Sequence, residues 1–402
     1  MTDSQTVCIF ISSTLFIPLL YYWFYSRPMS VPQERYKNIV VVGGSSGGAN
    51  VVKHLRKSLP AEYRIILIDK SPKAYWPIAS LRAAVQEGWQ EKLYTPFTQI
   101  FAKGEPHIVI ADTTVMDLEH DWVTIDPPHQ ELGSVIEFEY AVVATGAIYS
   151  TPCRPQKSVE ETFEVLEKYR DGVKEADKIV IVGGGPVGIE FAGEILHQYP
   201  DKAVTLLHSG GQLVSNSAPQ AFHKKLFRQL EAAGVEVILR VKADVQGLES
   251  GLQELHLHLN NGETISGDFL FLATGNKQDS SLFSKLDESL VEGNGAVKVT
   301  STLQLPGYDN IFAVGDVTNT QEAKTSVTAS AQAAVAAKNV VAKIKGRGLA
   351  DYKVQTSLLM LVTFGPKGGA ATTPVGVLGP LICSILKSRS LFIGMFERLY
   401  KA

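Results

Sequence analysis

Apolar residues and glycine-rich turns follow one another in an order that occurs twice along the chain. Each copy begins with a β-branched run, breaks into a glycine turn, resumes with helical periodicity, and passes through further short strands to Ala-Thr-Gly. The first copy extends from Asn38 to Gly146 and the second from Lys178 to Gly275. The change of period predicts strand, turn and helix. Two such units in tandem predict an α/β chain with two Rossmann-like dinucleotide-binding folds.

The first turn lies in NIVVVGGSSGGANVVK, from Asn38 to Lys53. Gly43, Ser45 and Gly48 occupy the three positions of G-x-G-x-x-G, and Asp69 ends the next strand-like run about twenty residues later. The first glycine allows the tight turn, the middle position admits a pyrophosphate, and the third lets the helix pack on its strand. Ser45 departs from the middle glycine, which weakens this copy, although its hydroxyl could donate to a phosphate.

The same turn has a rival interpretation. Gly43, Ser45 and Gly47 also spell G-x-S-x-G, the pattern of a nucleophilic serine between strand and helix. A serine hydrolase is disfavoured because a turn this close to the start of the chain leaves too few strands ahead of it.

The second copy contains a complete fingerprint within KIVIVGGGPVGIEFAGE, and its second strand ends at His208. Its glycines are Gly183, Gly185 and Gly188. A third signature, NIFAVGD from Asn310 to Asp316, is an apolar strand that ends in Gly-Asp and precedes a helical pattern from Ser326 to Lys345. A single nucleotide-binding fold would not need it.

Val7 to Tyr25 carry no charge over nineteen residues, which as a helix span about 28 Å, enough to cross a hydrocarbon core. We expect an uncleaved membrane anchor. A cleaved signal peptide is the alternative, but Asp3 precedes the span without any Lys or Arg, and no small-residue cleavage pattern follows. The basic residues Arg27, Arg35 and Lys37 follow it, so the positive-inside rule predicts that the folded part faces the cytosol.

Composition narrows the function classes. The 402 residues are enough for two or three domains, and 38 basic against 41 acidic residues give no electrostatic basis for nucleic-acid binding. The three cysteines, Cys8, Cys153 and Cys383, form no close pair, which excludes a C-x-x-C redox motif and fits a reducing compartment. Nine scattered histidines show no ligand spacing, so we expect no metal.

These features together resemble the two-dinucleotide-binding-domain flavoproteins of the pyridine nucleotide-disulfide oxidoreductase superfamily. Within that group the chain is most similar to the ferroptosis suppressor family of apoptosis-inducing-factor homologues associated with mitochondria. The stretches that carry this likeness are ASLRAAVQEG at Ala79 to Gly88, VGGGPVGIE at Val182 to Glu190, YPDKAVTLLHS at Tyr199 to Ser209, and LKSRSLF at Leu386 to Phe392.

The resemblance implies a domain order and an FAD site. The expected units are an anchor and linker over residues 1–35, a discontinuous FAD-binding domain over 36–147 and 270–345, an NAD(P)H-binding domain over 148–269, and a C-terminal region over 346–402. The implied pyrophosphate contacts are Gly43, Gly44, Ser45, Ser46, Gly47 and Gly48. Asp69 would bind the adenosine ribose, Val109 the adenine region through its backbone, and Asp316 the ribitol. Arg82 is a further implied FAD contact, with a surface ion pair as its alternative.

On the second fold, the resemblance implies that Gly183, Gly185 and Gly188 bind the pyrophosphate of NADH or NADPH. An acidic residue at the end of the second strand would bond the ribose 2′-OH and repel a 2′-phosphate. His208 stands there instead. We therefore expect the chain to use both cofactors.

Two residues are implied at the junction of flavin and nicotinamide. Glu190 would position the nicotinamide, and Lys387 would stabilise negative charge that develops on flavin or quinone. Their alternatives are a glutamate favoured by a helix dipole and a lysine beside lipid headgroups. The tail from Thr373 to Ala402 is apolar with interspersed basic residues; it is core, a homodimer surface, or a membrane contact that shapes a quinone entrance.

A disulfide reductase on this fold needs two cysteines that face the flavin. None of the three cysteines is placed to form such a pair, so we expect electrons to leave the flavin by another route. Family members reduce quinones such as ubiquinone and vitamin K with NAD(P)H, which implies a lipid-soluble quinone acceptor and a lipid-antioxidant role. The alternatives are a type II NADH dehydrogenase and a redox-sensing cell-death flavoprotein. The predicted membrane is that of the ER, a lipid droplet or the outer mitochondrial surface.

Overall fold

The computed structural model describes residues 36–149 and 152–402. The predicted membrane anchor, Val7 to Tyr25, lies outside the described residues. Within them, no helix combines the length and the apolar composition that crossing a bilayer requires.

The first nucleotide-binding fold is built on a sheet of five parallel strands. Their order across the sheet is Ile311–Ala313, Tyr140–Val143, Lys37–Val42, Tyr63–Ile68 and Ile108–Ile110. Ile39 and Val41 of the central strand pack into the core on one face of the sheet. Val40 and Val42 pack into the core on the other face. Because both faces are covered, this strand is a continuous apolar run in the sequence.

The second fold repeats this plan. Its sheet has the order Glu236–Leu239, Ala203–His208, Lys178–Val182, Thr264–Leu272 and Gly251–His258, and the last strand runs antiparallel to its neighbour. The predicted domain boundary at residue 270 falls inside the strand Thr264–Leu272, so the second fold ends a few residues later than expected. The prediction of an α/β chain with two Rossmann-type sheets is confirmed.

A two-stranded ribbon connects the two folds. Ala147–Ile148 follows the first Ala-Thr-Gly turn and pairs antiparallel with Lys277–Gln278, which follows the second. Each Ala-Thr-Gly therefore marks a point at which the chain crosses between the folds.

Helices and smaller elements complete these folds. The helices up to residue 344 are Ser46–Leu55, Ser80–Ala83, Val159–Glu175, Pro186–Gln198, Gln220–Ala232, Ser281–Leu286 and Ser326–Ile344. A meander consists of the strands Thr114–Leu118, Trp122–His129 and Gly133–Glu137. The shortest elements are the strands Ala74–Tyr75 and Tyr94–Thr95 and the 3-10 helices Pro77–Ala79, Gln90–Leu93, Phe97–Gln99 and Glu288–Leu290.

The C-terminal region packs on the second fold. Its three strands are Met360–Phe364, Gly368–Thr373 and Gly376–Leu378. They lie so close to the helix Pro186–Gln198 that a Cβ on Gly193 would be 2.4 Å from the backbone nitrogen of Gly365. The chain then forms a helix over Pro380–Cys383, continues as a π-helix over Ser384–Ser388, and ends with the helix Ile393–Leu399.

Candidate functional site

The first glycine turn has the geometry that the fingerprint predicts. Gly43 has φ +92°, and a Cβ there would lie 2.5 Å from the carbonyl oxygen of Ala144. A Cβ on Gly48 would lie 1.8 Å from the carbonyl oxygen of Gly43. Only glycine can hold these contacts, because any side chain would separate the helix from its strand. Ser45 is the exposed N-cap of the helix, and its side chain makes no capping hydrogen bond.

The remaining residues of this turn line the same cradle. Gly44 is buried under Phe97, whose ring lies 2.5 Å from the position of a Cβ on Gly44. Ser46 is the first residue of the helix, and Gly47 faces Ala144.

The second turn repeats the arrangement. A Cβ on Gly183, at φ +125°, would lie 2.4 Å from the carbonyl oxygen of Ala273, and one on Gly188 would lie 2.0 Å from the carbonyl oxygen of Gly183. A Cβ on Gly185 would meet no atom within 4 Å. The middle position therefore opens onto free space beside a helix N-terminus, as binding of a pyrophosphate requires. In each fold the alanine of Ala-Thr-Gly packs against the first glycine of the turn. Its carbonyl oxygen is the atom closest to the position of a Cβ on that glycine, with Ala144 beside Gly43 and Ala273 beside Gly183.

Strand-end residues occupy equivalent positions in the two folds. The Asp69 carboxylate accepts hydrogen bonds from the N–H of Gly44 at 2.5 Å and of Ser71 at 2.7 Å. Burial raises the pKa of Asp69 above its ordinary value. On the second fold, Nδ1 of His208 accepts from the N–H of Gly184 at 3.2 Å. In each fold, a side chain at the end of the second strand thus fixes the glycine turn by accepting a hydrogen bond from its backbone.

Two further predicted FAD contacts lie on strands of the first sheet or directly after one. Val109 is in the edge strand Ile108–Ile110, opposite Leu67. Asp316 follows the strand Ile311–Ala313 and accepts a hydrogen bond from the Tyr149 hydroxyl. Burial raises the pKa of Asp316, and the hydrogen bond from Tyr149 and the charge of Lys324 oppose that rise. The sequence contained no signal for Tyr149, because the contact joins residues 167 positions apart.

The two predicted catalytic residues meet in a buried ion pair. Nζ of Lys387 lies 2.7 Å from Oε1 of Glu190 and 2.9 Å from the carbonyl oxygen of Leu361. The N–H of Thr363 donates to the same glutamate oxygen at 2.9 Å. Each residue of the pair is 8% exposed. Glu190 comes from the first part of the second fingerprint helix and Lys387 from the π-helix, so the pair joins the second fold to the C-terminal region.

Arg82 forms a second buried ion pair with Glu194, which lies one helical turn beyond Glu190. Its Nε and Nη2 contact the two carboxylate oxygens of Glu194 at 2.8 and 2.7 Å, and its Nη atoms also donate to the carbonyls of Ser388 at 2.7 Å and Arg389 at 3.1 Å. Four of the five N–H donors are thus engaged within the protein. The surface ion pair considered as the alternative is corrected to a buried one, because Arg82 is 2% exposed. Its contact with FAD stays a prediction.

The described cysteines are placed for packing. Cys153 and Cys383 are both buried and free. Burial raises the pKa of the Cys153 thiol to about 12, and it raises that of Cys383 as well. Both thiols are therefore protonated near neutral pH and are weak nucleophiles.

Comparison with known proteins decides the family. Residues 37–337 match the family described as pyridine nucleotide-disulphide oxidoreductase. The chain belongs to this family. It is therefore an oxidoreductase that uses FAD and NAD(P)H, and the cofactor prediction is confirmed.

Relatives within the family cover most of the chain. It is 28% identical to apoptosis-inducing factor homolog B of Dictyostelium discoideum over 384 residues, which cover 90% of this chain and 96% of that protein. It is 29% identical to ferroptosis suppressor protein 1 of Mus musculus over 371 residues, 89% of this chain and 94% of that protein. The structure of an NAD-dependent persulfide reductase from A. fulgidus superposes with a TM-score of 0.64 at 19% identity, over 83% of this chain and 63% of that one. That likeness shows the fold. The predicted family resemblance is confirmed.

Proposed function

We propose that this oxidoreductase reduces a lipid-soluble quinone, of the ubiquinone or vitamin K type, with electrons from NAD(P)H. The observation that carries the proposal is the Glu190–Lys387 ion pair, held on the inner side of a helix whose outer side is apolar.

The helical segment Pro380–Ser388 has two unlike sides. Its outward side chains are Leu381, Ile382, Ile385 and Leu386, with exposures of 68%, 40%, 60% and 49%. Its inward side chains are Cys383, Ser384, Lys387 and Ser388, all buried. We call the four outward residues, together with Val375 at the preceding turn, the apolar face. Val375 is 90% exposed.

A lipid surface is the occupant that suits the apolar face. Exposed apolar side chains in such a cluster are unfavourable in water and mark a binding surface. Exposed cations lie near it in the sequence, at Arg389, Arg398 and Lys401, where they can meet lipid headgroups. A quinone with an isoprenoid tail is dissolved in the same lipid, so this face would bring the protein to its substrate.

The inward side of the same segment supplies the chemistry of the acceptor site. An ammonium has three N–H donors, and Lys387 uses two of them for Glu190 and Leu361. Within the described residues its third N–H has no partner, so it is the donor available to a quinone oxygen. Glu190 orients the ammonium and balances its charge, because burial of an unpaired charge is costly.

FAD, when bound, would supply the redox step, taking a hydride from NAD(P)H and passing two electrons and one proton to the quinone. The protein then needs to hold the acceptor, keep bulk water out and provide the second proton of the quinol at Lys387 Nζ. The Cys153 and Cys383 thiols, both protonated and buried, offer no competing disulfide route.

The membrane topology belongs to the same proposal. The uncharged span Val7–Tyr25 would anchor the chain with its folded part in the cytosol, on the ER, a lipid droplet or the outer mitochondrial membrane. The anchor and the apolar face would then hold the protein to one bilayer at two points.

The test is an anaerobic stopped-flow experiment on the full-length protein in detergent, loaded with FAD. NADH is mixed first and a short-tailed ubiquinone second, while flavin absorbance is followed. We expect fast loss of the oxidised flavin absorbance and fast recovery when quinone is added. Loss without recovery, with a lasting NAD–flavin charge-transfer band, would refute quinone reduction and favour the redox-sensing alternative.

A further inference from the structure

An arginine outside the site described above stands at the carboxyl edge of the second sheet. Arg240 directly follows the strand Glu236–Leu239, which pairs in parallel with the strand that ends at His208. The N–H of Arg240 donates to the carbonyl of Gly210 at 3.1 Å, and the N–H of Val241 donates to the carbonyl of His208 at 3.1 Å. These bonds fix Arg240 beside the loop that follows His208.

The Arg240 side chain lies over that loop and faces solvent. A Cβ on Gly211 would be 3.2 Å from its Nε and 3.4 Å from its Nη2. Arg240 has φ +62°, a conformation that residues other than glycine seldom adopt. Among the described residues, no carboxylate oxygen lies within 4.0 Å of this guanidinium and no hydrogen bond engages it. Its donors are therefore available to a ligand.

His208 contributes neither charge nor a free donor at this edge. Its Nδ1 accepts the Gly184 N–H, so the ring proton is on Nε2, which lies 3.1 Å from the carbonyl oxygen of Gln212. Burial lowers the pKa of His208 below its ordinary value, which keeps the ring neutral at pH 7. The side chain at this position carries no negative charge to repel a phosphate, and its two ring nitrogens are engaged by Gly184 of the glycine turn and by Gln212 of the loop.

We propose that Arg240, with the exposed hydroxyl of Ser209, binds the 2′-phosphate of NADPH and sets the choice between NADPH and NADH. In a dinucleotide-binding fold, the adenosine ribose lies beyond the end of the second strand, which here is His208. A guanidinium is the donor best matched to a phosphate, because it offers two parallel N–H bonds. This inference concerns the confirmed cofactor and does not depend on the quinone.

Binding measurements on the oxidised, FAD-loaded protein test the proposal without turnover. Isothermal titration would compare 2′,5′-ADP with ADP, and NADP+ with NAD+, in the wild type and in Arg240→Ala. We expect Arg240→Ala to weaken 2′,5′-ADP and NADP+ by about tenfold to a hundredfold, the loss typical of one charge-assisted partner. ADP and NAD+ should change by less than about twofold, since neither carries the 2′-phosphate.

Two further variants keep the result unambiguous. Lys242→Ala removes an exposed cation two residues away and should leave all four ligands unchanged. Arg240→Gly accepts the positive φ without strain and should reproduce the selective loss even if Arg240→Ala folds poorly. An equal loss for phosphorylated and unphosphorylated ligands, or an unchanged affinity for 2′,5′-ADP, would overturn the proposal.

Discussion

At the scale of residues, the Glu190–Lys387 pair is a buried ion pair for which we also propose a role in quinone reduction. Both groups are buried and bonded to each other. The Thr363 N–H also donates to Glu190, and the Lys387 ammonium also donates to the Leu361 carbonyl. Removing one partner of such a pair leaves the other charge unpaired, which costs about 3–5 kcal/mol. A loss of activity in a single variant could therefore arise from either role.

A pair of variants separates the two roles. We expect Lys387→Ala to lower quinone-dependent turnover by about a hundredfold or more, the usual contribution of a positioned proton donor, while FAD stays bound. It should also lower the melting temperature. The double variant Glu190→Gln/Lys387→Met should regain melting temperature but not turnover, because it removes the unpaired charge without restoring a donor.

The matched control for Lys387 is Lys367→Ala, an exposed lysine of the same C-terminal region. It should retain both stability and turnover. If Lys387→Ala turned over quinone at the wild-type rate, its role at the acceptor would be abandoned and the pair would be purely structural.

At the scale of elements, the last helix returns the chain to the first glycine turn. The Tyr400 hydroxyl donates to the carbonyl of Gly44 at 2.7 Å, and both atoms are in the interior. Phe396 stacks on Trp76 with ring centroids 4.7 Å apart, and the Trp76 indole N–H donates to the carbonyl of Leu391 at 2.8 Å. The helix Ile393–Leu399 therefore holds in place the turn that is predicted to bind FAD.

Tyr400→Phe should weaken FAD binding. It leaves the Gly44 carbonyl buried without a partner, at a cost of about 1–3 kcal/mol, and loosens the residue whose N–H, in the preceding peptide group, donates to Asp69. The expected result is faster FAD release in a fluorescence assay, with the NAD+ affinity of the second fold unchanged.

Tyr199→Phe is the control for Tyr400→Phe. The Tyr199 hydroxyl makes no hydrogen bond within the part of the chain that the structure describes, and its removal should leave FAD retention as it was. Equal FAD release from the wild type and Tyr400→Phe would show that the last helix packs on the first fold without supporting the flavin site.

At the scale of the whole molecule, the anchor and the apolar face would attach the protein to a bilayer independently. Protein that lacks residues 1–35 should still bind liposomes in a flotation assay through the apolar face. Ile385→Glu/Leu386→Glu in that shortened protein should abolish flotation, because a charged side chain enters lipid at a cost of several kcal/mol.

The full-length protein distinguishes the two attachments. With Ile385→Glu/Leu386→Glu it should still float through its anchor. Relative to the wild type, its rate with a long-tailed quinone in liposomes should fall more than its rate with a short-tailed quinone in solution. Val354→Glu, at an exposed apolar residue outside the apolar face, is the control and should change neither result. Complete loss of flotation on removing residues 1–35 alone would contradict a membrane role for the apolar face.

Much of the fold could be predicted because its signals are short. A strand, a turn and the start of a helix lie within sixteen residues from Asn38 to Lys53, and the requirement for glycine at Gly43 and Gly48 arises within that stretch and its neighbouring strand. Gly183 and Gly188 are likewise predicted by a short stretch, the second strand, turn and helix pattern. The pairing of the second sheet was harder to predict at its end, since nothing local shows that Thr264–Leu272 stays in the sheet past residue 270.

The sequence by itself determined the two dinucleotide folds, their glycine turns and the family, because each depends on residues close together in the chain. Only the tertiary structure decided which distant residues meet: Lys387 with Glu190 across 197 positions, and Tyr400 with Gly44 across 356. It also placed Arg82 in a buried ion pair and left Arg240 facing solvent beside His208. Such contacts depend on how two sheets and a C-terminal region pack together, and side-chain burial and charge pairing are set only when that packing is complete.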